Sequence, residues 1–286
     1  LFGTSATSQA LLTPGAPGPA VAAMRLLVGA AGLLVFVLWR GGGASLVRLW
    51  RMPLIWVMGA AVAGYQALFF LGAHLTGVAI GTLVSLAFAP FLAGVLGWIL
   101  REGAPGWLWL ASTVIAVIGV VLLAGDPGDH ANAGGIACAI GAGTCYAIYT
   151  VIGVRLARQG HPATSVVTAS FTLGAIALLP FAVTSSWWLS AAGVVEVLWL
   201  GLATTTVAYI LFGIGLSVLP PGSIATLNLM EPVVATVLAV VVLGESIGGT
   251  GWGGVVLVLV ALGILGLGSR RGSARDDALS NETVSP

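Results

Sequence analysis

Charge is what this 286-residue chain most conspicuously lacks. Charged residues make up only 7% of it, whereas soluble domains carry about a quarter, so an ordinary water-soluble domain is excluded. Lysine is absent, and all ten basic residues are arginine. With a net charge of +1 the chain offers no broad field for a nucleic acid. Its two cysteines, Cys138 and Cys145, fall in one apolar run, too far apart for an unstrained disulfide; they read as small, polarisable packing residues. No GxxxxGK[ST] phosphate cradle, no HExxH and no paired His/Cys ligand set occurs, so neither an ATP-driven pump nor a metallopeptidase is expected. A Ser/His/Asp set in plausible register is missing too, as is the Ser/Lys or Asp pair of an intramembrane enzyme. No enzyme, cofactor or metal is expected.

What is present is hydrocarbon. Hydrophobic residues make up 58% of the chain, and the mean hydropathy is +1.09. Apolar runs of about twenty residues, each long enough to cross a hydrocarbon core as a helix, recur along nearly the whole length. The ten-residue alternating segments of a membrane barrel do not appear. Breaks at Gly/Pro clusters and charged residues predict helices over 1–12, 19–39, 54–73, 78–100, 106–124, 134–154, 163–183, 193–217, 221–243 and 251–268. Pro53, Pro105, Pro162 and Pro221 stand at or just before helix starts, where a missing N–H costs little. The opening "LFGTSATSQALL" reads as a helix whose beginning is missing rather than a signal peptide, because it has no basic flank. The expectation is an all-α polytopic membrane protein with ten transmembrane helices.

The arginines orient it. Arg40, Arg48 and Arg51 fall in one connection, Arg101 in another, Arg155 and Arg158 in a third, and Arg270, Arg271 and Arg275 in the tail. With both termini in the cytoplasm, all nine lie on the inner side, as the positive-inside rule requires. The opposite connections hold Asp126, Asp129, Glu196 and Glu245 and no arginine. Only Arg25 is left, inside the second run.

The chain also repeats. "LVSLAFAPFLAGVLGWILREG" (83–103) aligns with "ATLNLMEPVVATVLAVVVLGES" (225–246), so Pro90 falls on Pro232 and, with one insertion, Glu102 on Glu245. The flanking helices also correspond. The domains expected are 1–126, a first five-helix repeat, 132–268, a second, and 269–286, a disordered cytoplasmic tail. Five is odd, so the second copy enters the membrane from the opposite face. Such inverted repeats are a plan of secondary transporters, with the substrate site near the midplane between copies.

Two five-helix copies, a proline in the fourth helix of each, a glutamate after it and "AMRLLVGA" in the second run together resemble the drug/metabolite transporter superfamily, specifically its EamA-type ten-helix exporters. Within that group the chain looks most like bacterial aromatic and neutral amino acid exporters. The "WG" pair usual in the first helix appears as Phe2-Gly3. The resemblance implies a multi-pass protein of the bacterial cytoplasmic membrane that exports small metabolites by alternating access. A drug or nucleotide-sugar carrier, or a proton-coupled antiporter using Glu231, is the alternative. The partners implied are a small-molecule substrate, amino acids first, and the lipid bilayer, with no nucleic acid; a monomer is plausible, and the sequence does not decide the oligomeric state.

One residue carries most of the chemistry. Glu231 lies near the middle of its apolar run, where a charged side chain costs about 2.5–3.5 kcal/mol on insertion scales and so should face the bundle interior or a wet cavity. Pro232 has no N–H for the Asn228 carbonyl, and Asn228 and Glu231 share a helix face. The pair reads either as a substrate or proton site, or as a glutamate that satisfies the proline kink or pairs with Arg25. The first copy has Ala89 at the equivalent place, beside Pro90, so a kink alone does not require a carboxyl. Arg25 reads as an anchor for a substrate carboxylate, or as a side chain that snorkels or pairs with Glu231.

Around these stand candidates for a cavity with flat apolar walls and a few polar anchors. They are Tyr65, Gln66 and Phe69 in the third run, Thr82, Ser85 and Phe88 in the fourth, and Tyr146 and Tyr149 in the sixth; the eighth adds Trp199, "TTT" (204–206) and Tyr209. His74 is expected at an interface, and His130 and His161 in connections. "TSSWWLS" (184–190) reads as an interfacial aromatic belt. Glu102 and Glu245 are expected to favour the starts of the helices that follow. Gly77/Gly81 and Gly249/Gly253 have the spacing of close helix contacts, and Pro90 and Pro232 are the expected kinks.

Overall fold

The computed structural model describes residues 1–76, 78–101, 106–124, 132–244 and 248–282. Glu102, Glu245, Asp126, Asp129, His130 and Gly77 lie outside them. The helices are α1 (Thr4–Leu12), α2 (Gly18–Trp39), α3 (Gly43–Trp50), α4 (Pro53–Thr76), α5 (Val78–Ile99), α6 (Trp107–Ala124), α7 (Ala133–Arg158) and α8 (Ala163–Ala182), then α9 (Ala191–Leu198), α10 (Ala208–Val218), α11 (Pro221–Leu227), α12 (Met230–Leu243) and α13 (Gly249–Glu282). A π-helical segment, Trp199–Val207, joins α9 to α10, and no strand occurs among the described residues. Seven helices among them are long and apolar enough to cross a membrane, with α9–α10 and α11–α12 each counting as one; Val84–Ile99 and Trp107–Leu123 are shorter apolar helices.

Helix starts follow ordinary rules. Asn132 caps α7 by accepting from Gly134 N (2.8 Å) and Gly135 N (3.3 Å), and Ser190 caps α9 through Gly193 N at 3.0 Å, each meeting a backbone donor the first turn leaves open. Three features depart from the sequence reading. The stretch read as a connection around Arg48 contains α3, whose Leu46 and Leu49 are buried. The run 193–217 is interrupted by the π segment, and the run 221–243 breaks at Asn228 and Leu229. The last helix, α13, extends to Glu282.

Packing relies on small residues. Between lipid and helix there is little hydrophobic gain, so close van der Waals contact carries the association. A Cβ on Gly72 of α4 would stand 3.1 Å from the Gly135 carbonyl of α7, and one on Gly153 of α7 3.3 Å from Met58 of α4, so α4 and α7 run antiparallel. A Cβ on Gly119 would come within 2.8 Å of the Gly254 carbonyl, which locks α6 against α13. Gly249 and Gly253, expected at such a contact, have no neighbour there, because that face of α13 turns away from the bundle.

The antiparallel packing gathers Arg40, Arg48, Arg51, Arg155 and Arg158 at one end. There the largest core cluster fills the bundle, with Val37, Leu46, Leu49, Met58, Leu156 and Leu216 all buried. The other end is looser. One expectation fails at that looser end: Glu196, read as a charge beside an outer connection, is 0% exposed, because α9 packs against α1, α2 and the π segment.

Candidate functional site

Between the two ends lies a cavity of about 190 Å³. It continues into a wider vestibule of about 1320 Å³, and Phe2, Gln9, Gln66, Phe69 and Glu231 border both. His74, Thr82, Leu123, Phe181 and Thr236 line the vestibule, which therefore opens at the end away from the arginine clusters. At the arginine end the cavity is closed by packed side chains.

The break between α11 and α12 positions the central carboxylate. Leu229 N bonds the Thr226 carbonyl at 3.0 Å and Glu231 N the Asn228 carbonyl at 2.9 Å, three residues back rather than four. The carbonyl that Pro232 cannot serve is thus taken by the preceding N–H, a tightened turn at a helix end. Glu231 starts α12, in its first turn, where the helix dipole favours negative charge. Its side chain is half-buried and borders both spaces. Asn228 Nδ2 donates to the Tyr146 hydroxyl, tying the break to α7.

Arg25 of α2 borders the same cavity. Among the described residues no ion pair joins it to Glu231 within 4.0 Å. Glu231 therefore does not serve to lock α12 to α2, and both charged groups remain available to the cavity.

Aromatic rings form a large part of the wall, among aliphatic and hydroxyl side chains. The chain has four tyrosines, and Tyr65, Tyr146, Tyr149 and Tyr209 all line this one cavity. Tyr65 stacks on Phe69 at 5.8 Å and 21°, Phe171 meets Tyr209 at 4.3 Å, and Phe2 stands edge-on to Tyr209 at 5.1 Å. Offset and edge-to-face rings of this kind hold one another in place, so the wall is stiff. Among the described residues the buried Tyr149 hydroxyl has no hydrogen-bond partner.

The threonine run explains the π segment. Thr205 Oγ1 donates to the Leu200 carbonyl at 2.8 Å, and Thr206 Oγ1 to those of Gly201 (3.0 Å) and Gly29 (3.2 Å). The hydroxyls recapture carbonyls that the wider π turn leaves short, and such turns concentrate at functional sites. Gly29 permits the approach: a Cβ there would stand 2.6 Å from that of Thr205.

Nine of the residues singled out from the sequence meet at this cavity: Glu231, Asn228, Tyr65, Gln66, Phe69, Ser85, Tyr146, Tyr149 and Tyr209. Thr82 and Pro232 face the vestibule, and Pro90 is buried inside α5. Two are placed elsewhere. Phe88 is 41% exposed on the outer surface of α5, and Trp199 is 41% exposed, its indole N–H donating to Thr4 Oγ1 at 3.2 Å. Both sit on the wrong helix face, which apolar surroundings on all sides do not reveal. Residues of α1, among them Ser5 and Gln9, and Phe171 of α8 were not anticipated; Ser5 and Gln9 share an i, i+4 spacing, the one signal that pointed to them.

The EamA-like transporter family matches residues 133–267. The transporter YwfM of Bacillus subtilis (strain 168) is 35% identical over 274 residues, 94% of this chain and 91% of that protein. The chain belongs to the EamA-like transporter family. Another relative is the threonine/homoserine exporter RhtA of Escherichia coli (strain K12), 33% identical over 246 residues, 82% of this chain and 76% of RhtA. One solved crystal structure matches the fold with a TM-score of 0.77 over 94% of both chains, at 23% identity. Family membership makes this a multi-pass membrane transporter, consistent with the drug/metabolite transporter superfamily, and the cavity between the helices of an EamA chain is where a small molecule has room to sit.

Proposed function

We propose that this EamA-family chain exports neutral amino acids, small hydroxylated and aromatic ones among them, across a bacterial cytoplasmic membrane by alternating access. The observation that carries this reading is the placement of one carboxylate, Glu231, and one guanidinium, Arg25, on the wall of a single aromatic-lined cavity. A zwitterion offers an ammonium to the first and a carboxylate to the second, and charge-assisted hydrogen bonds to both are the strong kind. Its side chain then lies against the tyrosine rings, with Asn228, Gln66 and Ser85 as polar neighbours. A nucleotide sugar would bring two phosphates to a cavity bordered by one basic side chain, which disfavours it. The relative named as a threonine/homoserine exporter supports a neutral substrate.

The architecture in this reading is ten crossings in two inverted five-helix copies, 1–126 and 132–268, with both termini in the cytoplasm. Nine long or shorter apolar helices together with the short α1 support the count, and the arginine clusters at one end support the orientation. The vestibule then opens to the outside, and the packed arginine end is the closed inner side of an outward-facing state.

Counterflow into proteoliposomes holding only this protein tests the reading. Vesicles preloaded with threonine or phenylalanine are expected to take up the labelled amino acid at least severalfold faster than empty-loaded vesicles. Arginine and glutamate, each carrying a net charge, are expected to be poor substrates. Equal uptake with and without preloading across neutral amino acids would refute it.

A further inference from the structure

One fully buried carboxyl group, that of Glu196, stands outside the cavity. Glu196 is fully buried in α9, bordering neither the cavity nor the vestibule. Ser8 Oγ of α1 stands 3.1 Å from its Oε1 and also 3.1 Å from the Ser5 carbonyl one turn back, so its one proton is shared between the two acceptors; among the described residues Oε2 has no partner. A buried carboxyl oxygen left unpaired is costly, so its retention needs a reason in the residues it touches.

That reason lies in α1. This nine-residue helix is too short to stand alone and is held between α12 on one side and α9 with the π segment on the other. Phe2, Ser5 and Gln9 face the cavity. Among the described residues Thr4 and Ser8, one turn apart on another face, make the two side-chain hydrogen bonds that join α1 to the run Ala191–Val218: Trp199 Nε1 to Thr4 Oγ1 at 3.2 Å, exposed, and Ser8 Oγ to Glu196, part-buried. The second is the stronger anchor, because the carboxyl group it reaches is fully buried and has little water to replace it.

We propose that the Ser8–Glu196 hydrogen bond is a latch that seats α1 in the cavity wall, making Glu196 a positioning residue for the face that carries Phe2, Ser5 and Gln9. α1 also borders the vestibule mouth, so the latch sets how readily that mouth widens. The consequence for substrate rests on reading the cavity as the transport site; the latch itself does not.

The test uses a chain carrying Cys138→Ala and Cys145→Ala with a reporter cysteine at Thr7, which is 7% exposed when α1 is seated. A membrane-impermeant maleimide reports unseating. Ser8→Ala and Glu196→Met are expected to raise the labelling rate about fivefold each, the effect of losing one hydrogen bond. The double variant should label no faster than either single, since both remove the same contact. Glu196→Gln retains an acceptor oxygen and should label like the parent. Unchanged labelling in Ser8→Ala, multiplied effects in the double variant, or Glu196→Gln labelling as fast as Glu196→Met would each overturn the latch. Should Glu196→Met fail to fold, Ser8→Ala decides alone. In counterflow the cut latch should raise the half-saturating concentration severalfold at similar maximal rate. A parent without counterflow but with the labelling pattern intact would sink the transport reading and leave the latch standing.

Discussion

A proline lies inside both α5 and the α11–α12 pair, yet only the second breaks. α5 is helical from Val78 to Ile99 straight through Pro90, while α11 ends at Leu227 and α12 begins at Met230, just ahead of Pro232. Ala89 and Glu231 hold matching places beside the two prolines, and both border the cavity. The difference is in the surroundings. α5 is pressed against α7 so closely that a Cβ on Gly143 would stand 2.8 Å from the Ser85 carbonyl, leaving no room for the chain to open. α12 buries only Val233 among its residues and turns much of its surface to the vestibule. Missing one N–H is thus tolerated in a tight groove. It becomes a break where polar side chains and space offer other partners. The comparison teaches that the surroundings of the two helices, not the proline, shape this part of the cavity wall.

The largest effect should come from removing the one chemical difference. Glu231→Gln is expected to lower counterflow of neutral amino acids by about tenfold to a hundredfold, the worth of a charge-assisted hydrogen bond, with thermal unfolding in detergent unchanged. Uptake like the parent's would leave the carboxylate without a substrate role. A smaller, sharper contrast comes from the prolines themselves. Pro232→Ala restores an N–H that can close the helix on the Asn228 carbonyl, and a severalfold loss of uptake is expected; Pro90→Ala, in a helix already continuous, should change uptake by less than about twofold. Equal effects of the two would erase the distinction. A further test is Tyr146→Phe, which removes the acceptor of the Asn228 side chain. About 1 kcal/mol is at stake, so the half-saturating concentration should rise roughly fivefold.

Much of the site was legible in the linear chain. Glu231 declared itself by standing in hydrocarbon, and Asn228 by sharing its face. The four tyrosines, all in apolar runs, come together at the cavity. Phe88 and Trp199 were misplaced because in a membrane helix both the lipid-facing and the inward faces are apolar, so hydropathy carries no phase. The α1 wall was missed for a related reason: Ser5 and Gln9 are small or flexible, and only tertiary packing brings that helix beside α12. Glu196 misled because proximity to a helix end suggested water, while α1 covers it.

Sequence alone determined the class of molecule. Scarce charge, apolar runs of spanning length and arginines confined to a few connections leave a helical membrane protein as the one solution, because lipid offers the backbone no other partner. Only the tertiary structure decided which faces turn inward, that the two prolines behave differently, and that Glu231 and Arg25 border one cavity without forming an ion pair. These depend on distances between helices far apart in sequence, set by where glycine and alanine let backbones approach, and no local pattern encodes them.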